Sequence, residues 1–444
     1  MQWTSLRAQR AMKLIGLAIV LVLAAAVAYL GPGLVRSPSQ GSQGTVLITV
    51  DQPRGLIDSK VAVTVTGLQA HRRALVRART VDSNGRGWAS FAVFEADPTG
   101  TIDLRTSRPL DGSYQVADMM GLFWSMAGPI GERPDPLGGR PGPLRAYDPP
   151  GIGESVTLSV ELDGKTVSSR NLLREARTTD VVERHLALSN AGFIATYFTR
   201  PKTLSRRAAV LLFGGSAGGE TRDLEASLLA SHGYPALSIA YFGEPGLPQE
   251  LADIPLEYFV NALNWLRAQA EVDPQRILVS GVSRGSEAAQ LLGVYAAHLV
   301  HGVIALVPSN VAICAYPGCD RPAWTLGGRA LPYTRQFDEP GPTDDPAAVM
   351  PVERIEGPIF LACGGKDVVW VSCVYANAIM SRLEAGHHPY RRVLLSYPDA
   401  GHGIGSLLPY LSGAGRSDRE HATLSDQAAR VIAWPQLLSF IAQA

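Results

Sequence analysis

The chain has 444 residues, 46% of them hydrophobic and 18% charged. That balance suits a globular protein of two or three domains and excludes global disorder or a many-span membrane protein. Forty Lys and Arg offset forty Asp and Glu, so no basic excess exists to neutralise phosphates and nucleic-acid binding is not expected.

In chain order, the first feature is Arg7, Arg10 and Lys13 followed by the uncharged apolar run Leu14–Leu30. Its length lies on the border between a secretory h-region and a membrane-spanning helix. Ala26-Val27-Ala28 offers a small-residue cleavage site, and Gly31-Pro32-Gly33 ends any helix. Residues 1–44 are therefore expected to be a signal peptide or a membrane anchor plus a Gly/Pro/Ser-rich linker; uncleaved, residues 14–30 would hold the chain to a membrane. Positive charge ahead of the run favours an exported catalytic region outside the cytoplasm, an anchor facing the cytoplasm being the opposite orientation.

From Val46 to about Arg170, short apolar alternations separated by turn residues predict strands at VLITV, VAVTVTGL, ALVRART, WASFAVF and SVTLSVEL, with no long helical period among them. Residues 45–180 are expected to form an antiparallel β-sandwich of immunoglobulin-like size, with a Pro/Gly-rich loop over 128–151. From about Val181 strands alternate with helices: AAVLLFGG, the helix DLEASLLASHG, PALSIAYFG, the helix PLEYFVNALNWLRAQAEV, then RILVSG, GVIALVPS, PIFLACGG and RVLLSYP. Apolar strands alternating with helices imply a mostly parallel sheet covered on both faces, so residues 181–444 are expected to be an α/β domain.

The strand ending at Ser280 runs into Gly281-Val282-Ser283-Arg284-Gly285, and helix-period apolar positions follow at Ala288, Leu291 and Leu292. This is G-x-S-x-G in the strand–turn–helix context that makes Ser a nucleophile. A tight turn strains the Ser backbone, so small neighbours are needed to avoid clash. Such a hydrolase needs its acid and then its base later in the chain. Asp367 follows the strand PIFLAC, and His402 follows the last strand in YPDAGHG. Asp399, also near His402, competes with Asp367 as the acid; Asp367 is preferred. The other histidines lie before the nucleophile, within or at the ends of helical segments, ahead of a strand, or beyond the last strand. Oxyanion donors are expected from the backbone N–H of Arg284 and from Gly214–Gly219, four glycines in six residues, specifically Gly215 and Ser216. No P-loop Lys follows that stretch, so nucleotide hydrolysis is not expected. The triad supplies nucleophile and base, so neither cofactor nor metal is called for.

Several further segments are distinctive: Gly112-Ser113-Tyr114, Met120–Met126 (MGLFWSM), GVSRGSE, IPLEYF, PVERIEGPI, Asp367–Ser372 (DVVWVS) and AGH. In these the chain resembles the acyl-CoA thioesterase and bile acid-CoA:amino acid N-acyltransferase family, over roughly residues 45–444. The resemblance implies a β-sandwich joined to an α/β-hydrolase domain and thioester chemistry on fatty acyl-CoA, and it carries Ser283, Asp367 and His402 over as the triad. Family thioesterases use Ser and the bile acid conjugating enzymes use Cys, so Ser283 implies hydrolysis, with acyl transfer to an amine or alcohol as the alternative. Export would imply an acyl ester or thioester other than acyl-CoA. A surface binding protein without catalysis is a third possibility.

Secondary expectations concern the pocket and the cysteines. Tyr241, Phe242, Trp324, Tyr333 and Phe337 are candidates to line the acyl site, with 310–349 either a lid or a surface loop. The Arg284 side chain is expected in solvent. Cys314 and Cys319, five apart, and Cys363 and Cys373, ten apart, form two local disulfides or remain four buried thiols; their spacing is not that of a zinc site. The oligomeric state is not legible.

Overall fold

In the computed structural model, residues 45–128, 151, 153–201, 205–411 and 424–444 are described. The apolar run at 14–30, the linker at 31–44 and nearly all of the Pro/Gly-rich stretch at 128–151 lie outside them. Among the described residues no helix is long and apolar enough to cross a membrane.

Two sheets are built from the first part of the chain. Leu47–Val50, Val63–Thr66 and Ile102–Asp103 form one of three strands. Arg54–Leu56, Lys165–Glu175, Gly153–Leu162, Arg73–Val81, Gly87–Glu95 and Asp111–Gly112 form, in that spatial order, one of six. Alternate residues of Arg73–Val81 and Gly87–Glu95 are buried, the signature of strands with one face inward. Those faces share a core: Ile48, Val63 and Val65 from the smaller sheet, Val76, Trp88, Phe94 and Val160 from the larger. A one-turn helix, Gly121–Trp124, places Leu122 and Phe123 in that core. The expected all-antiparallel pattern is broken where Arg54–Leu56 pairs parallel with Leu173–Glu175. The layers are also unequal, so the likeness to an immunoglobulin domain goes no further than two sheets around one core. The strand Lys165–Glu175 escaped the sequence pattern because most of it is exposed and polar on both faces.

The second sheet system carries the site, and its strands are numbered here by themselves: β1 (Val182–Leu186), β2 (Ile194–Thr199), β3 (Arg207–Phe213), β4 (Ala236–Ala240), β5 (Val272–Val282), β6 (Gly302–Leu306), β7 (Ile359–Gly364) and β8 (Arg392–Tyr397). Their spatial order is β1-β2-β4-β3-β5-β6-β7-β8. β2 pairs antiparallel with β1 and β4, and every later pairing is parallel. This is the α/β-hydrolase arrangement. β3 shows why the sheet is buried on both sides: Ala209, Leu211 and Phe213 enter one apolar cluster, Ala208, Val210 and Leu212 the other. Helices α2 (Leu256–Arg267), α3 (Arg284–Tyr295) and α4 (Ser372–Ala385) cover the first face. Helices α1 (Asp223–Ser231) and α5 (Leu424–Gln443) cover the second. β1, β2, α4 and α5 were not anticipated from sequence. Pro435 sits inside α5, and a proline within a helical period ordinarily argues against a helix.

The excursion after β6 is neither a bare loop nor a separate domain. Val311, Ile313 and Cys314 pack with Trp370 and Tyr375 in a small cluster of their own, and Trp324–Leu326 joins a three-stranded sheet with Ile254–Pro255 and Arg329–Ala330.

Candidate active site

Because β5, β6, β7 and β8 are parallel, their carboxyl ends open on one edge of the sheet. Ser283 directly follows β5, Asp367 is three residues beyond β7 and His402 five beyond β8, so the topology delivers all three to that edge.

Ser283 has φ 53° and ψ −124°, a backbone conformation that costs a non-glycine residue about 1–3 kcal/mol and persists only when its surroundings impose it. Here they do. Its N–H donates to Leu306 O of β6 at 3.0 Å, and its carbonyl accepts from Ser286 N at 2.8 Å. A Cβ on Gly281 would lie 2.0 Å from Gly285 O, and a Cβ on Gly285 would lie 2.2 Å from Gly214 O. The two flanking glycines are thus demanded by backbone packed against backbone. The side chain of Ser283 is buried to 8% exposure at the N-terminus of α3, where first-turn N–H groups lack helical acceptors and favour negative charge.

The Gly214–Gly219 loop passes beside Ser283: a Cβ on Gly215 would sit 2.9 Å from Ser283 Cβ and 3.4 Å from its Oγ. The loop is tied down by Tyr241, whose hydroxyl lies 3.0 Å from Gly214 O and 3.2 Å from Gly215 O. Burial pushes that phenol well above its usual pKa, so it remains a donor.

The Asp367 side chain is 1% exposed and both of its oxygens are engaged. Oδ2 lies 2.9 Å from His402 Nδ1. Oδ1 accepts from Val369 N at 3.0 Å and Trp370 N at 3.3 Å. Asp399, the competing acid, instead pairs with Lys366 Nζ at 2.7 Å in an exposed contact. Backbone bonds join the two loops: Gly365 N donates to Tyr397 O at 2.9 Å and Lys366 N to Ala400 O at 2.8 Å. The Trp370 indole donates to Val307 O at 3.1 Å and its ring lies 6.0 Å from the imidazole. The turn that begins at His402 reaches back to the nucleophile strand, for a Cβ on Gly405 would fall 2.7 Å from Val282 Cγ1.

An arrangement of this kind can support acyl transfer through an oxygen nucleophile, and the comparisons with known proteins bear on which acyl group. Residues 58–187 match the family described as the acyl-CoA thioester hydrolase/BAAT N-terminal region, and residues 254–318 and 325–444 match the BAAT/acyl-CoA thioester hydrolase C terminal. The chain belongs to this family. Acyl-coenzyme A thioesterase 1 of Rattus norvegicus is 29% identical over 413 residues, covering 87% of this chain and 94% of its own. The mitochondrial acyl-coenzyme A thioesterase 2 of Homo sapiens is 27% identical over 436 residues, covering 92% and 85%. Among solved structures, a puromycin-hydrolysing peptidase of Mycobacterium tuberculosis superposes with a TM-score of 0.44 at 14% identity, over 92% of this chain and 69% of that one. A superposition that loose carries no weight; the fold rests on strand order.

Within the frame of this thioester hydrolase family, the remaining expected residues fall as follows. Tyr241, Phe242 and Trp324 are buried to 2%, 4% and 1% exposure. The Tyr241 hydroxyl lies within hydrogen-bond distance of Gly214 O and Gly215 O, and the Trp324 indole donates to Glu287, so their polar atoms brace the site. Tyr333 is half-buried against the Val311–Cys314 cluster, Phe337 is exposed and Ser216 is half-buried. The Arg284 side chain, expected in solvent, is 5% exposed. Its guanidinium pairs with Glu287 at 2.6 Å and donates to Ile313 O and Cys314 O, each at 2.8 Å. Glu287, which sequence reasoning missed, also accepts from Ile313 N at 3.1 Å and Trp324 Nε1 at 2.8 Å. Burial raises its carboxyl pKa and Arg284 opposes that rise. An acid four residues past Ser283, ahead of the apolar positions Ala288, Ala289, Leu291 and Leu292 of the same helix, was the available signal. All four cysteines are paired, Cys314 with Cys319 and Cys363 with Cys373. The second bridge closes the segment that contains Asp367.

Proposed function

We propose that this thioester hydrolase works through Ser283 as nucleophile, His402 as general base and then general acid, and Asp367 as the group that fixes and charges the imidazole. The observation that carries the proposal is the 2.9 Å contact between His402 Nδ1 and the buried Asp367 carboxylate, on the sheet edge that also bears the strained Ser283 turn. With Nδ1 committed to Asp367, Nε2 is the nitrogen left to take the Ser283 proton. Ser283 Oγ attacks the acyl carbonyl. The oxyanion is met by the backbone N–H of Arg284 and by N–H groups of Gly215 and Ser216, and its collapse breaks the C–S bond and expels the thiolate, which takes the proton from the His402 imidazolium and leaves as thiol. Water then repeats the sequence on the acyl-serine and releases the fatty acid.

The substrate class is an acyl thioester, with fatty acyl-CoA leading because the curated relatives are acyl-coenzyme A thioesterases. Acyl transfer to an amine shares the acyl-serine stage. Ser favours hydrolysis, because an oxygen ester is less reactive toward amines than a thioester. We place the catalytic region outside the cytoplasm, on the apolar run at 14–30 and the two disulfides; protease access on intact cells tests that, and a protected domain would overturn it.

The test of the reaction is covalent and kinetic. Wild type should be labelled by a fluorophosphonate and should release free thiol from an acyl-CoA. Ser283→Ala should do neither. A fully active Ser283→Ala would remove Ser283 from the mechanism. If added glycine or taurine diverted product to the amide, transfer would replace hydrolysis.

A further inference from the structure

His402 is the last of the three groups in the chain, and its loop has no strand partner beyond Tyr397. Two side chains from α5 hold it instead. Asp426 Oδ1 accepts from Gly401 N at 2.6 Å, and Arg430 donates through Nη2 to Gly403 O. Gly401 and Gly403 are the residues on either side of His402, and Asp426 and Arg430 are one helical turn apart on α5, so they share a face. Both are buried, at 1% and 6% exposure.

α5 is in turn anchored to the first part of the chain. Trp434 Nε1 donates to Asp58 Oδ2 at 2.8 Å, and His232 Nε2 lies 2.6 Å from the same oxygen. The segment that holds Asp58 is fixed by Arg174, fully buried, which donates to Ser59 O at 2.8 Å and also to Ile57 O. On the other side of the loop, Tyr410 is buried in the core shared by the two N-terminal sheets, with Tyr114, Met120 and Trp124.

We propose that Asp426 and Arg430 are positioning residues for His402, and that the Trp434–Asp58 bond makes the N-terminal sheets part of the same support. This rests on the triad reading above. It assigns the N-terminal region a part in setting the base rather than a spectator's place. The imidazole would be held from three directions: Asp367 on its ring, and Asp426 and Arg430 on the backbone at each side.

The test uses the full chain with Arg430→Met, Arg430→Lys and Trp434→Phe, with Ser283→Ala in parallel. Rates are expressed per site titrated with fluorophosphonate, so an unfolded fraction does not count. Misplacing a catalytic group by about 1 Å can cost about 100-fold. Arg430→Met should therefore lower kcat about 10- to 100-fold with KM unchanged, and Arg430→Lys should restore most of the loss because it still donates to Gly403 O. Trp434→Phe should lower kcat about threefold by the same route. Wild-type kcat in Arg430→Met, or a loss that Lys does not restore, would overturn the positioning role. Wild-type kcat in Trp434→Phe would remove the N-terminal sheets from it. If Ser283→Ala itself stayed active, the triad reading would fail, and that result is distinct from either of these.

Discussion

The nucleophile turn and the base loop are held by different means. The turn at Gly281–Gly285 is fixed by main chain: Ser283 N–H on Leu306 O, and glycines whose absent side chains let the Gly214 and Gly285 carbonyls come within contact. The base loop has the Lys366 N to Ala400 O backbone bond, but around His402 itself it is held by side chains from distant sequence, with Asp367 on the ring and Asp426 and Arg430 on its flanks. A turn fixed by close packing has few ways to relax, so changes there should damage stability and catalysis together. A loop held by individual hydrogen bonds should lose catalysis while the fold survives.

The largest expected effects lie in the reacting groups. Ser283→Ala should reduce kcat by about 10⁶-fold and Asp367→Asn by about 10⁴-fold, the latter because an amide presents the wrong partner to Nδ1. Thermal unfolding should be nearly unchanged for Ser283→Ala, whose side chain lacks the packing role of its glycine neighbours. If Asp367→Asn kept wild-type kcat while Asp399→Asn did not, the acid would have to be reassigned to Asp399, now seen paired with Lys366.

Next comes the turn itself. Gly285→Ala puts a methyl group 2.2 Å from Gly214 O, which must move backbone in the oxyanion loop. The expected cost is about 1–3 kcal/mol of stability, together with about 100-fold in kcat from the displaced donors. Paired measurement of the melting temperature and kcat checks this. A variant with normal stability and depressed kcat would erase the contrast between turn and loop.

That contrast also explains what could be read from sequence. The turn was legible because its causes are local: strand, glycine, serine, glycine and helix lie within one short stretch, and each residue is there for the backbone next to it. Asp367 and His402 were legible because parallel strands bring their carboxyl ends to one edge wherever they lie in the sequence. The braces were not. Glu287, Asp426 and Arg430 act on carbonyls and N–H groups far away in sequence, and no periodicity marks them. Arg284 was misplaced in solvent because its acceptors, Ile313 O and Cys314 O, belong to an excursion whose packing the Pro- and Gly-rich sequence conceals. The hydroxyl of Tyr241, expected only among the pocket candidates, also holds Gly214 and Gly215.

Tyr241→Phe isolates one such brace. It removes a single donor from the carbonyls of Gly214 and Gly215 and leaves the ring in place among Phe213, Phe259 and Trp324. Losing a buried hydrogen bond of this kind costs about 1 kcal/mol. Because the loss falls on the oxyanion loop, kcat should drop about tenfold while KM holds, since the donors matter most in the transition state. A rise in KM with kcat unchanged would place Tyr241 at the substrate after all.

The smallest effect is expected at Cys363–Cys373, and it probes the loop side of the comparison most directly. Cys363 is in β7 and Cys373 in the first turn of α4, so the bridge closes the segment that holds Asp367 and Trp370. Asp367 is already fixed within that segment by Val369 N, Trp370 N and His402 Nδ1. The bridge therefore acts mainly by limiting the freedom of the unfolded chain, worth about 2–3 kcal/mol for a short loop. Replacing both cysteines by Ser should lower the melting temperature clearly while kcat falls only about two- to threefold. If kcat instead collapsed at a temperature where the double variant is still folded, the hydrogen bonds around Asp367 would be insufficient alone, and the acid loop would depend on its covalent closure as the Ser283 turn depends on its glycines.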